Sequence, residues 1–143
     1  MSTDLSHEVT ELIAAPAQTV FRFLANGLNL GRWAFGCWNT QAAEGGLFRG
    51  HSLFDGAAFL VRIEADEPRL MLHFHVGTAP DRLVPRIVAH VVPGERTGRT
   101  ADESLVTLLA WRDAGMSEER WRRVAVGHET EVLLIKALVE RGG

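Results

Sequence analysis

The sequence predicts an α+β protein: a curved antiparallel sheet of six to seven strands around one long C-terminal helix, with two short helices after the first strand. Three observations carry that expectation. Residues 117–140 form one helical stripe. Residues 47–112 break into apolar, mostly alternating segments divided by turn residues. A single short helical stretch, between Pro16 and Gly27, interrupts the strand pattern near the N-terminus.

Residues 7–14 have strand character, with Val9 and Ile13 on one side and Glu8, Thr10 and Leu12 on the other. Pro16 suits a first helical position and Gly27 a stop; between them Val20, Phe21 and Leu24 form a helical stripe. Residues 28–38 read as a short helical turn and a loop, rich in aromatics: Trp33, Phe35 and Trp38. Gly45 and Gly46 make a turn. Residues 47–54 form a strand ending at the Asp55–Gly56 hairpin signal. Residues 57–65 are the clearest strand, with Phe59, Val61 and Ile63 alternating with Leu60, Arg62 and Glu64. In residues 70–76, Leu70, Leu72, Phe74 and Val76 share one face and Met71, His73 and His75 the other. A loop with Pro80 and Pro85 precedes a strand over residues 86–92. The polar stretch 93–104 is a hairpin tip, and residues 105–112 are the last strand. The long helix starts at the N-cap Ser117, with Glu118 and Glu119 complementing its first-turn dipole. Trp121, Val124, Ala125, Val132, Ile135 and Val139 fall on one stripe, and His128 sits in its middle, where Leu would be ordinary.

The 143 residues fit one domain, residues 1–143, with no internal repeat or linker. The formal charge is −3, and the only basic cluster, Arg120, Arg122 and Arg123, stands among glutamates; no nucleic-acid partner is expected. No run approaches a membrane span, and residues 1–6 show no basic stretch leading into an apolar one. The lone Cys37 cannot form an internal disulfide and reads as a small buried apolar residue rather than a nucleophile. The expectation is a soluble cytoplasmic protein.

Several segments together carry a family resemblance. Ile13-Ala14-Ala15-Pro16-Ala17-Gln18-Thr19-Val20-Phe21 is similar to the entry into the first helix of the START-like, or SRPBCC, superfamily. Leu30-Gly31-Arg32-Trp33, Gly45-Gly46-Leu47-Phe48, Asp66-Glu67-Pro68-Arg69-Leu70 and Leu105-Val106-Thr107-Leu108 follow in the family's order, across nearly the whole chain. Its members include polyketide cyclases, pollen-allergen-like proteins and chaperone-ATPase-activator homologues. The activator branch opens its last helix with a Gly-Trp pair; Met116-Ser117-Glu118-Glu119-Arg120-Trp121 stands there instead. The chain therefore resembles the broader polyketide-cyclase-like group. The resemblance implies a helix-grip fold with an apolar cavity between sheet and last helix, and implies much less about reaction.

Taking the least charged strand faces as the interior places Phe48, Phe54, Phe59, Val61, Ile63, Leu72, Phe74, Leu109 and Trp111 around that cavity, with Ile87 or Val88. Arg62, Arg112, His73 and His75 then point outward. The helix adds Trp121, Val124, His128, Val132 and Ile135, and Trp33 would close the mouth. Thr107, Ser52 and His128 are the polar handles. His128 is either a ligand contact or a buried histidine bonded to a backbone carbonyl or to Glu131. Trp33, Trp111 and Trp121 are either core residues or ligand stackers.

Metal ligation by His73, His75 and His90 is not expected, because no carboxylate joins them; no metal and no cofactor is expected. The first functional reading is binding of a hydrophobic small molecule: a lipid, polyketide or aromatic metabolite. The second is a cyclase, aromatase or dehydratase with His128 as acid or base, which needs an inward strand residue such as Arg62, His73 or His90 to hold an oxyanion. The third is a protein-interaction regulator of the chaperone-activator kind. For that, Leu53 and Leu60 would form an outer apolar patch, or bury against a second copy in a homodimer.

Overall fold

The computed structural model describes residues 4–143; Met1–Thr3, the start of the segment that shows no leader pattern, lie outside the described residues. Seven strands are present: β1 (Ser6–Ile13), β2 (Trp38–Ala42), β3 (Phe48–His51), β4 (Ala58–Asp66), β5 (Met71–Gly77), β6 (Val84–Pro93) and β7 (Ser104–Trp111). The helices are α1 (Ala17–Ala25), α2 (Leu30–Trp33) and α3 (Glu118–Glu140). The sheet order is β1-β7-β6-β5-β4-β3-β2, antiparallel throughout.

The chain segment between β1 and β2 carries the two helices across the sheet, so the first strand ends beside the last. Backbone pairing of β1 with β7 runs over the full length of both. Helix α3 packs chiefly against β1. Its C-terminal end is fastened there: Lys136 Nζ donates to the Leu12 carbonyl at 2.7 Å, and Glu140 accepts from Ala14 N–H at 2.8 Å. The Ser117 hydroxyl accepts from Arg120 N–H at 3.2 Å, the N-cap expected from sequence. Ile13, Val20, Leu24, Leu72, Val91, Val106, Leu108, Val132 and Ile135 form the dry centre beneath α1 and the C-terminal half of α3.

Three elements differ from expectation. The segment over residues 47–54 leaves the sheet at His51, so Phe54 lies in a turn rather than on a strand. An edge strand, β2, follows the aromatic loop; its polar residues and the irregular register between Trp38 and Gln41 hide it from the alternation rule. β6 starts at Val84 despite Pro85, because a bulge there absorbs the proline.

The interior face of β7 also differs. Ser104, Val106, Leu108 and Ala110 point inward, while Thr107, Leu109 and Trp111 point outward. The expected face followed from turning Arg112 outward, but β7 ends at Trp111, and Arg112, just past it, lies over Trp121 with its side chain 15% exposed; within the strand itself neither face carries a charge. The pairing with β1 chooses: Val9 opposes Leu108, and Thr10 on the exposed face opposes Thr107, with their hydroxyls 2.7 Å apart. The smaller side chains, Ser104 and Ala110, face the helix side.

Candidate functional site

A cavity lies between β4, β5, β6, the N-terminal half of α3 and the turn that follows α2. It has two lobes. The outer lobe, about 290 Å³, is lined by Phe35, Ser52, Phe54, Asp55, Ala57, Arg123, Val124 and Gly127 among others. The inner lobe, about 150 Å³, is lined by Leu30, Trp33, Ala34, Cys37, Val61, Phe74 and Leu108. Gly36, Phe59, Val76, Arg86, Ile87, Arg120, His128 and Glu131 line both. The inner lobe is apolar. Arg86, Arg120, His128 and Glu131 border both lobes, and Ser52, Asp55 and Arg123 add polar groups to the outer one.

Each polar group is placed by a specific local feature. His128 and Glu131 are three residues apart on α3 and share a face; both are buried. His128 Nε2 stands 3.8 Å from Glu131 Oε1, too far for a hydrogen bond and close enough for one polar atom to bridge them. The other carboxylate oxygen, Oε2, accepts the Phe35 N–H at 2.8 Å. That bond ties the turn after α2 to the helix. Behind His128, on β1, the His7 ring lies 6.4 Å away edge-on, and His7 Nε2 reaches Glu129 at 3.4 Å.

Burial sets the protonation states. It pushes the Glu131 carboxyl up to about 7, against the lowering effect of the Phe35 N–H. It pulls the His128 imidazole down to about 4, with His7 and Arg86 adding repulsion of the charged form. Near neutral pH His128 is therefore neutral, and Glu131 exchanges readily between acid and carboxylate. Cys37 is raised to about 12 by burial first and Glu131 second, which keeps it a neutral thiol, in line with the apolar reading.

Arg86 is the residue that the sequence reading missed. Ladder partners run Phe74 to Ile87 and then His75 to Pro85, so Arg86 is the extra residue of a bulge. The bulge turns its side chain toward the cavity beside Ile87. The signal was Pro85, since proline inside a strand marks an edge or a bulge. Arg86 Nε lies 3.4 Å from Asp113 Oδ2. Burial lowers its pKa from the usual arginine value, opposed by Asp113 and assisted by Arg120.

Of the residues expected around the cavity, Trp33, Phe54, Phe59, Val61, Phe74, Val124 and His128 line it, as do Ser52 and Ile87. Trp33 is buried edge-on against Phe74, at the inner end rather than at the mouth. Phe54 stands at the rim, half exposed, between Phe35 and the Arg123 guanidinium. Phe48, Ile63, Leu72 and Val132 are packed in the core and do not line it. Phe48 is taken up by Gly27, whose missing side chain leaves room for the ring. Trp121 packs instead with Ala110 and Met116, under Arg112. Thr107, Leu109 and Trp111 are on the opposite face of the sheet, for the pairing reason given above. His73, His75 and His90 are on that outer face as well, His75 beside Glu64 at 3.7 Å. Among the described residues no group of three histidine, cysteine or acidic side chains could hold a metal ion.

No protein-family model and no curated protein sequence matches the chain. Solved structures do match. The Zhui aromatase/cyclase from Streptomyces sp. R1128 superposes with TM-score 0.65 at 17% identity, over 95% of this chain and 93% of that one. A START superfamily protein from Mycobacterium smegmatis gives TM-score 0.68 at 10% identity, over 96% and 99%. The chain has the START-like, helix-grip fold. The Aha1 dimer from Colwellia psychrerythraea shares it, at TM-score 0.69 and 12% identity, over 97% and 98% of the two chains. Among the described residues no helix is long and apolar enough to cross a membrane.

Proposed function

We propose that the protein binds a small, mostly apolar molecule in the two-lobed cavity. The observation that supports this most directly is the inner lobe: about 150 Å³ lined mostly by apolar side chains, Trp33, Val61, Phe74 and Leu108 among them. A cavity of ~150 Å³ with such a lining accommodates a single aromatic ring. Together the lobes sit near the low end of ligand sites, roughly 300–1,000 Å³. That size favours one or two rings or a short chain over a long lipid. Fluorescence titration with N-phenyl-1-naphthylamine, an uncharged apolar probe, tests the reading. Binding in the micromolar range, on the order of −8 kcal/mol, is the expected result. Val76→Trp, which fills space in both lobes, should weaken it at least tenfold without lowering the melting temperature. Equal binding by the two proteins would place the probe elsewhere.

A second reading is favoured by one further observation, the convergence of His128, Glu131 and Arg86 on the same stretch of wall. Such a trio can take a proton from a carbon next to a carbonyl while a cation steadies the enolate oxygen, the chemistry that a cyclase or dehydratase uses. Arg86 supplies the oxyanion partner that Arg62, His73 and His90 do not. The proton leaves to Glu131 or His128 and returns to the same carbon, so β-tetralone in D₂O reports the step by NMR. Wild-type protein should speed exchange of its α-protons by about 10²-fold, a typical general-base effect. Glu131→Gln should abolish most of that. Exchange no faster than in buffer at the same pH would leave binding alone.

Of the two leucines named for the outer-face reading, one is buried. Leu60 is buried, opposite Gly77, against which the Arg82–Leu83 backbone packs; Leu53 is exposed without it.

A further inference from the structure

The cavity's electrostatics are lopsided. Arg86 lines both lobes, its side chain only 18% exposed, and its ion-pair partner Asp113 has a side chain 56% exposed. Water screens that partner, so the buried guanidinium is thinly compensated. Arg86 Nε makes no hydrogen bond. Arg120, an exposed side chain at the edge of both lobes, adds a second positive charge with no ion pair among the described residues, whereas Arg123 is matched by Glu119 at 3.1 Å. The acidic groups of the same wall are Asp55 and Glu131, and Glu131 is held largely uncharged below neutrality by burial. A strand bulge that turns an arginine into an apolar cavity without a full counter-charge is costly unless an anion completes it.

We infer that the molecule bound here is an amphipathic anion, with a carboxylate at Arg86 and Arg120 and a single ring or short chain in the inner lobe. This rests on the apolar-ligand reading of the same cavity and adds the head group to it. The planar guanidinium fork matches a carboxylate through two parallel hydrogen bonds. The apolar body then lies against Val61, Phe74 and Leu108. An amine head would meet two arginines. An alcohol could satisfy a donor but would leave the charge.

Calorimetric titration with 4-phenylbutyrate, 4-phenyl-1-butanol and 4-phenylbutylamine, which differ only in the head group, tests this. The acid should bind at least tenfold tighter than the alcohol, and the amine weakest. The acid's advantage should shrink as salt is raised from 0.05 to 0.5 M. Arg86→Gln should bring the acid-to-alcohol ratio close to one, and Arg86→Lys, which keeps the charge without the fork, should restore part of it. Equal binding of acid and alcohol to the wild-type protein would overturn the inference, as would an acid preference that survives in folded Arg86→Gln. Should Arg86→Gln not fold, the wild-type ratio and its salt dependence decide. Failure of all three compounds to bind would overturn the apolar-ligand reading itself, and this inference with it.

Discussion

Glu131→Gln should make the protein more stable at pH 8, by about 2–3 kcal/mol, and no more stable at pH 4.5. Burial raises the Glu131 carboxyl from 4.5 in the unfolded chain to about 7 in the fold. Between those values the folded protein holds a proton that the unfolded chain has released, so stability is fullest below pH 4.5 and falls as pH rises toward 7. A shift of that size corresponds to about 3 kcal/mol above pH 7. Glutamine removes the charge and keeps an acceptor for the Phe35 N–H, and its new amine can meet water in the cavity. The melting temperature at pH 8 should rise by roughly 10 °C.

His128 contributes with the opposite sign. Its folded pKa is depressed from 6.5 to about 4, so the unfolded chain binds the extra proton and stability is lost as pH falls from 6.5 toward 4. In the wild-type protein the two slopes offset each other between about pH 4.5 and 6.5. Removing Glu131 exposes the histidine slope, so the variant's stability should climb by about 3 kcal/mol from pH 4 to 6.5. Urea unfolding of both proteins at pH 4.5, 6.5 and 8 measures this. A difference between them that does not change with pH would show that Glu131 titrates like an exposed carboxylate. A carboxylate kept in the wall of a cavity at such a cost is a feature of sites rather than of cores.

Gly50→Ala should destabilise the protein by about 3 kcal/mol, at the upper end of what overpacking costs. A methyl group at position 50 would lie 2.6 Å from Cys37 Cα and 2.8 Å from its carbonyl oxygen. Those are backbone atoms and cannot swing aside, so β3 and the Phe35–Cys37 turn must separate. That turn carries the Phe35 N–H on which Glu131 leans. Losing the bond removes what lowers the Glu131 pKa, so its titration should move above about 7. Urea unfolding gives the stability, and carbon NMR of the Glu131 carboxyl gives the titration. Wild-type values for both would mean that the turn and β3 are not held in rigid contact.

Periodicity carried most of the fold. Helix α3 was legible to within a residue because a 3.6-residue stripe and a serine cap are local properties of the chain. Burial of His128 followed from the same stripe. The inner faces of β4 and β5 were legible because Arg62, Glu64, His73 and His75 mark the outer face of each strand. The START-like order of elements was also readable from short segments spread along the chain.

Local pattern was therefore enough for the elements other than the edge strand β2, for their order, and for the faces of β4 and β5, where charge contrasts with apolarity. The remainder came from contacts between elements distant in the chain. The inward face of β7 is set by its ladder with β1, because the strand is uncharged on both faces and the charge of Arg112, one residue past its end, points to the wrong one. The inward turn of Arg86 is set by a one-residue bulge, which reverses parity where the chain gives only a proline as a sign. His128 and Glu131 share a helix face by spacing alone, but that Arg86 and the Phe35 N–H meet them there depends on how the helix, the β6 bulge and the turn after α2 come together. A periodic pattern fixes which side of an element is buried; it does not fix which neighbours that side will meet.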